Sequence, residues 1–281
     1  MMFKTAILLG VLTGIFLAVG YMIGGQTGLL FALIFSAFTN FISYYYSDSI
    51  ILSMYGAKEL TPQEAPTLFN IVKKLTQRAN LPMPRLYIID MDQPNAFATG
   101  RDEHHSAVVV TTGLLRLLNE DEIMGVLAHE LSHIKNRDIL IATIAATIAG
   151  AISALVNIFQ FSLIFGIGQD RERNSNPIVA LLLIIITPII ASIIQFAISR
   201  SREFAADATG AHICGCPLSL AKALKKIHDY VERVPVEVNQ GTAALFIENP
   251  MGSIGQLFST HPPTEERIKR LVEIAKEMGQ I

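Results

Sequence analysis

The chain has 281 residues, of which 51% are hydrophobic and only 16% charged, with a net charge of −2. A soluble domain carries about a quarter charged residues, so an ordinary soluble protein is excluded, and the slightly negative net charge gives no sign of a nucleic-acid partner. The mean hydropathy of +0.43 is concentrated in four long apolar runs, which predicts a multi-pass membrane protein with polar domains attached.

The first run extends from Thr5 to about Gly24, behind Lys4. A positive flank before an apolar stretch also describes a signal peptide. Here the turn Gly24-Gly25-Gln26-Thr27 leads at once into a second run, Gly28 to Tyr46. About 20 residues cross a ~30 Å hydrocarbon core, and Tyr44, Tyr45 and Tyr46 suit the interfacial aromatic belt. Residues 1–46 therefore read as a transmembrane hairpin that is retained.

Residues 47–138 form a polar segment. Pro62 to Asn80 carries Leu68, Ile71, Val72 and Leu75 at helical spacing. Strands are predicted at Pro84–Asp90, Asn95–Gly100 and Ala107–Thr112, with a polar turn from Gly100 to Ser106. Asn119 and Glu122 then stand three apart as a capping box. The helix they open carries His129-Glu130-Leu131-Ser132-His133. Two histidines four apart share one helical face and can bind one zinc ion. Glu130 between them is placed to act as general base on a water activated by that metal.

The third run starts at Ile139 with no turn signal after His133, so the helix is expected to continue straight into the membrane, to about Ile167. A polar loop, Gly168 to Asn176, precedes the fourth run, Pro177 to Ile198, where Pro188 predicts a kink. Residues 139–198 thus form a second transmembrane hairpin. Residues 199–281 complete the polar part, with helices around Arg200–His212 and Leu218–Val231 and a last helix after Thr260-His261-Pro262-Pro263.

Nine Lys or Arg lie between Ser47 and Asp138 and ten beyond Ser199, but only Arg171 and Arg173 in the loop between the later runs. The positive-inside rule then puts both polar segments and both termini in the cytoplasm. Cys214 and Cys216 are too few for a disulfide framework and read as free thiols in a reducing compartment.

A catalytic zinc needs a third protein ligand and an open coordination position. His133 stands six residues before the third run and Glu203 five residues after the fourth. In antiparallel neighbouring helices both side chains then sit roughly 8 Å above the same membrane face. Glu203 is accordingly the expected third ligand. Asp207, one turn on, is the expected acceptor for a ligand imidazole N–H.

The apolar hairpin, Asn95-Ala-Phe-Ala-Thr-Gly100, His129-Glu-Leu-Ser-His133, Arg202-Glu-Phe-Ala-Ala-Asp207 and His261-Pro-Pro-Thr-Glu-Glu-Arg267 occur in an order and spacing that resemble the HtpX family. That family comprises membrane-bound zinc metallopeptidases of bacteria and archaea, more distantly similar to the CAAX prenyl proteases. The resemblance implies a gluzincin: a mainly α zincin-like cytoplasmic domain with a small β-sheet on four transmembrane helices. It implies one zinc per chain held by His129, His133 and Glu203, with Glu130 catalytic. It also implies an endopeptidase of membrane protein quality control, acting under stress on membrane or misfolded proteins.

His261, before two prolines, is the candidate second donor to a developing oxyanion, with Arg267 as the alternative. His104, His105, His212 and His228 read as structural or solvent-facing. Asn95, Ala96, Phe97 and Ala98 read either as an ordinary strand or as an edge that takes substrate by β-addition. A non-catalytic zinc-stabilised membrane scaffold or chaperone is the alternative function. An intact Glu130 argues against it, because a structural site needs no base. Four spans are too few for the chamber of a CAAX-processing enzyme, and the runs lack the buried charges of a transporter.

Overall fold

The computed structural model describes residues 2–148, 200–236, 245–250 and 262–281. The loop at 168–176, the fourth run with Pro188, the third run past Ile148, and His261 lie outside the described residues.

Helix α1 (Met2–Met54) folds back on itself at Gly24 and Gly25, whose backbones leave the helical region (Gly25 φ 57°). Its legs are joined by the Asn40 side-chain amide donating to Thr13 Oγ1 at 2.8 Å and by an edge-on contact of Phe16 with Phe35. Among the described residues, Gly24–Met54 is the helix long and apolar enough to cross a membrane. Leu30, Phe31, Ile34, Phe35 and Phe38 on it are all more than half exposed. The helix does not stop at Tyr46. It runs on to Met54, where Ile51 and Leu52 are buried under the sheet.

The four-stranded mixed sheet has the order β1-β2-β4-β3, with β1 Lys58–Glu59, β2 Arg85–Ile89, β3 Ala96–Asp102 and β4 His105–Thr111. β2 and β4 are parallel, while β3 runs antiparallel to β4 at the sheet's edge. Strand alternation divides the core in two. Leu86, Ala96, Ala98, Val108 and Val110 face the helical layer, while Tyr87, Phe97, Ala107 and Val109 face Ile51, Leu52 and Ala146. The hairpin between β3 and β4 is tighter than the polarity of Gly100–Ser106 suggests. Asp102 accepts from the His104 and His105 backbone N–H groups, so strand pairing extends through the expected turn.

The helical layer comprises α2 (Pro66–Ala79), α3 (Thr112–Leu117), α4 (Glu120–Lys135), α5 (Ile139–Ile148), α6 (Arg200–Cys214), α7 (Pro217–Arg233) and α8 (Thr264–Glu277). Asn119 and Glu122 form the reciprocal capping box at the start of α4, at 2.9 and 3.0 Å. α4 does not run straight into the third apolar stretch. It ends at Asn136, Arg137 turns left-handed at φ 58°, and α5 begins at Ile139. α5 then packs Ile141, Ile144 and Ile148 against Leu9 and Phe16 of α1.

Cys214 and Cys216 are bonded to each other, not free thiols. Gly215 between them, at φ +70°, reverses the chain after α6 and brings the two sulfur atoms together.

Candidate metal centre and substrate cleft

α4 crosses α6 beneath the sheet edge, and the crossing is close because Gly210 of α6 has no side chain. A Cβ there would stand 2.9 Å from the His129 backbone nitrogen. Glu203, two turns before Gly210, is thereby brought to the face of α4 that carries both histidines. His129 Nε2 lies 3.6 Å from Glu203 Oε2, His133 Nε2 lies 3.7 Å from Glu203 Oε1, and the two Nε2 atoms are 3.2 Å apart. A tetrahedral zinc bonded at about 2.0–2.1 Å separates its donors by roughly 3.3 Å. Two imidazoles and one carboxylate at these separations fit a divalent cation in both chemistry and spacing.

Each remaining ring nitrogen has a carboxylate close by. His129 Nδ1 lies 2.9 Å from Asp207 Oδ1. His133 Nδ1 lies 3.3 Å from Asp138 Oδ1. A carboxylate near each Nδ1 favours the tautomer that leaves both Nε2 lone pairs free for one cation. Asp138 has this place because the chain breaks at Arg137. A continuous helix would have carried Asp138 onward along α4.

Electrostatics point the same way. Burial opposes a charge on His129, yet Asp207 and Glu203 outweigh it and hold its pKa up at about 10. Burial likewise opposes charge on His133, and Asp138 and Glu203 again reverse the direction. The carboxylates thus demand positive charge between the imidazoles, which a metal supplies while leaving the rings neutral. Burial would raise Asp207, but the Arg267 guanidinium beside it holds the carboxylate down at about 2. Arg267 is raised in turn, with Asp207 outweighing the effect of burial.

Glu130 shares a cleft with the three candidate ligands. Burial pushes its carboxyl pKa up, while the two histidines and the Ala98 N–H moderate the rise. The cleft is lined by Ala96, Phe97 and Ala98 of the edge strand and by Leu245, Phe246 and Ile247. Asn95 is buried and bonded to the Leu245–Ile247 segment. Its amide donates to the Leu245 carbonyl at 3.3 Å and accepts from the Ile247 N–H at 3.0 Å.

Among the described residues, the other histidines are not brought to this centre. His104 and His212 are exposed, His105 pairs with Asp102 at the hairpin, and His228 pairs with Glu248 at 3.1 Å. Sequence reasoning missed Asp138, and it named Arg267 only as the alternative to His261 as an oxyanion donor; the structure shows Arg267 gripping Asp207. A signal for Arg267 exists. Thr264, Arg267, Leu271 and Ala275 form the buried stripe of α8, and a guanidinium in such a stripe implies a buried carboxylate opposite.

The sequence pattern of peptidase family M48 matches residues 62–275. A "Protease HtpX homolog" of Aquifex aeolicus (strain VF5) is 58% identical over 274 residues, covering 95% of this chain and 91% of that one. Another from Persephonella marina (strain DSM 14350 / EX-H1) is 54% identical over 285 residues, covering 99% of each. The crystal structure of S. mikatae Ste24p superposes with a TM-score of 0.51 at 19% identity. It covers 96% of this chain, which spans 64% of that structure's length. At that identity the likeness concerns the fold alone.

Proposed function

The chain belongs to peptidase family M48 and is a metallopeptidase, and on that premise we propose a zinc-dependent endopeptidase embedded in the membrane. Its cleft opens at the cytoplasmic face, and it cleaves membrane or misfolded proteins there. The observation that carries the reading is the convergence of His129, His133 and Glu203 beside Glu130, in a cleft bounded by an edge strand.

When bound, zinc supplies Lewis-acid activation of a water and of the scissile carbonyl. His129, His133 and Glu203 hold it, and Asp207 and Asp138 orient the two imidazoles. Glu130, with its pKa raised by burial, accepts the proton of the attacking water and delivers it to the departing amide nitrogen. An extended substrate lies along Ala96 to Ala98 and is held through its main chain, which favours breadth over sequence preference. His261 remains the proposed donor to the developing oxyanion.

The membrane part of the proposal rests on the exposed apolar surface of α1 and the four apolar runs. Four spans with both termini cytoplasmic satisfy the distribution of Lys and Arg. The test is purification in detergent, elemental analysis for zinc, and casein cleavage beside Glu130→Gln. Zinc with zinc-dependent cleavage by the wild type, and zinc without cleavage by the variant, is the expected result. Zinc without cleavage by either would favour the scaffold. Cytoplasm-only reporters after Gly113 and at Ile281 should be active and one at Asn174 silent. Activity at Asn174 would remove the four-span arrangement.

A further inference from the structure

We propose that Arg267 is a positioning residue that sets the metal ligand His129 and the Leu245–Ile247 wall of the substrate cleft with one buried guanidinium. The inference rests on the metallopeptidase reading and adds a determinant of substrate affinity to it.

Arg267 is 1% exposed. Two of its nitrogens grip one carboxylate: Nε donates to Asp207 Oδ2 at 2.8 Å and one terminal nitrogen donates to Asp207 Oδ1 at 2.7 Å. That carboxylate lies 2.9 Å from His129 Nδ1. The other terminal nitrogen points elsewhere and donates to the Ile247 carbonyl at 3.0 Å. Ile247 lines the same cleft as Ala96 and Ala98. The Ile247 N–H is held by Asn95, at the start of the edge strand. One residue of the wall is thus fixed from both sides, by Arg267 at its carbonyl and by Asn95 at its N–H.

Burying an ion pair is by itself a poor source of stability, because desolvation offsets the attraction. What guanidinium adds over any smaller cation is direction. Its planar fork can bind a carboxylate with two N–H groups and still aim a third along a fixed line. A lysine at the same place keeps the charge beside Asp207 but cannot serve both partners with that geometry. The Leu245–Ile247 segment belongs to no strand of the sheet. Its place beside the edge strand is therefore set by side chains, and that place decides how much of the cleft is open to an extended substrate. Arg267 accordingly acts at His129, through Asp207 and through the same terminal nitrogen that Asp207 holds, which stands 3.5 Å from His129 Nε2, and on substrate affinity through Ile247, and these two effects are separable.

The test uses the full chain in detergent, with Arg267→Lys, Arg267→Gln, Asn95→Ala and the Arg267→Lys/Asn95→Ala double variant. Zinc affinity is read by competition with dipicolinate, kcat and KM on fluorescent casein, and wall order by hydrogen exchange of peptides containing Ile247. Arg267→Lys should hold zinc within about threefold of wild type. It should raise KM about tenfold, the size expected for one lost charged hydrogen bond, with faster exchange at Ile247. Asn95→Ala should do the same from the other side. The double variant should fall short of the product of the two, because each single change already frees the wall. Arg267→Gln should lose zinc affinity as well.

A KM and an Ile247 exchange rate unchanged in Arg267→Lys would overturn the proposal, whatever Arg267→Gln does. So would a double variant equal to the product of the singles. Hydrogen exchange reads the wall without catalysis, so it tests the proposal even in a chain that cleaves nothing. Absence of zinc-dependent cleavage by the wild type is a separate outcome, which would count against the peptidase reading itself.

Discussion

Ala98 donates its backbone N–H to the Glu130 carboxylate at 2.9 Å. Ala98 pairs with Val108 in the sheet but turns this N–H outward, to the side where an added strand would lie. The edge strand is therefore in contact with both the expected substrate and the expected base. Its N–H stabilises the ionised form of Glu130, against burial that favours the protonated form.

Ala98→Pro removes that donor without breaking a bond to β4, since proline is tolerated where a strand's N–H faces outward. The Glu130 pKa should then rise further, leaving less carboxylate at any given pH. The acidic limb of kcat/KM against pH should move to higher pH, with the alkaline limb unchanged. Casein cleavage across pH at saturating zinc measures this. An unmoved acidic limb would show that the N–H does not tune the base.

The three carboxylates about the histidines should rank by role. Glu203→Ala removes a proposed ligand and should abolish both zinc retention and cleavage. Asp207→Asn and Asp138→Asn leave the ligands in place and should cost roughly 10–100-fold in metal affinity or activity. Elemental analysis and cleavage in one detergent decide the order. Full zinc in Glu203→Ala with loss in Asp207→Asn would exchange their roles.

Gly210→Ala probes the helix crossing. The new Cβ would meet backbone atoms of Ala128 and His129 at 2.9–3.0 Å, so α6 must shift away from α4 and carry Glu203 with it. Catalytic geometry tolerates only ~0.5 Å, so activity should fall at least tenfold with reduced zinc affinity, while the chain still folds. Wild-type zinc affinity and activity would mean that the crossing adjusts without moving Glu203.

The pair His228–Glu248 should make stability depend on pH. The Glu248 carboxylate raises the His228 pKa above 6.5, and Asp229 and Glu232 add to the rise. Burial raises Glu248, yet His228 and Thr264 outweigh it and hold its pKa below 4.5. A raised histidine contributes stability fully below its unfolded pKa and loses it as pH climbs through the folded value. Glu248 contributes above its unfolded pKa and loses this as pH falls. The difference in melting temperature between wild type and His228→Gln should therefore peak near pH ~5–6 and shrink above ~7. A difference constant across that range would show that the pair carries no linked proton.

What was legible in the sequence was what local spacing encodes. Four residues between two histidines place them on one helical face, and three between Asn119 and Glu122 close a cap. Glu203 could be singled out because its distance along the chain from an apolar run matched that of His133, and the structure brings the two side chains within 3.7 Å. Asp138 was hidden because nothing in Lys135-Asn136-Arg137-Asp138 announces a left-handed arginine. Without that turn the carboxylate points along the helix, not back to His133.

Arg267 and the Leu245–Ile247 wall were decided by tertiary structure alone. The grip on Asp207 spans 60 residues, and the bonds from Asn95 span 150 and 152. Periodicity reports which face of an element is apolar, because burial repeats with the helical or strand period. It cannot report which buried donor meets which buried acceptor, because that depends on how close two helices come. Here the absent side chain of Gly210 sets how near α6 lies to α4, and so the distance from Glu203 to the two histidines.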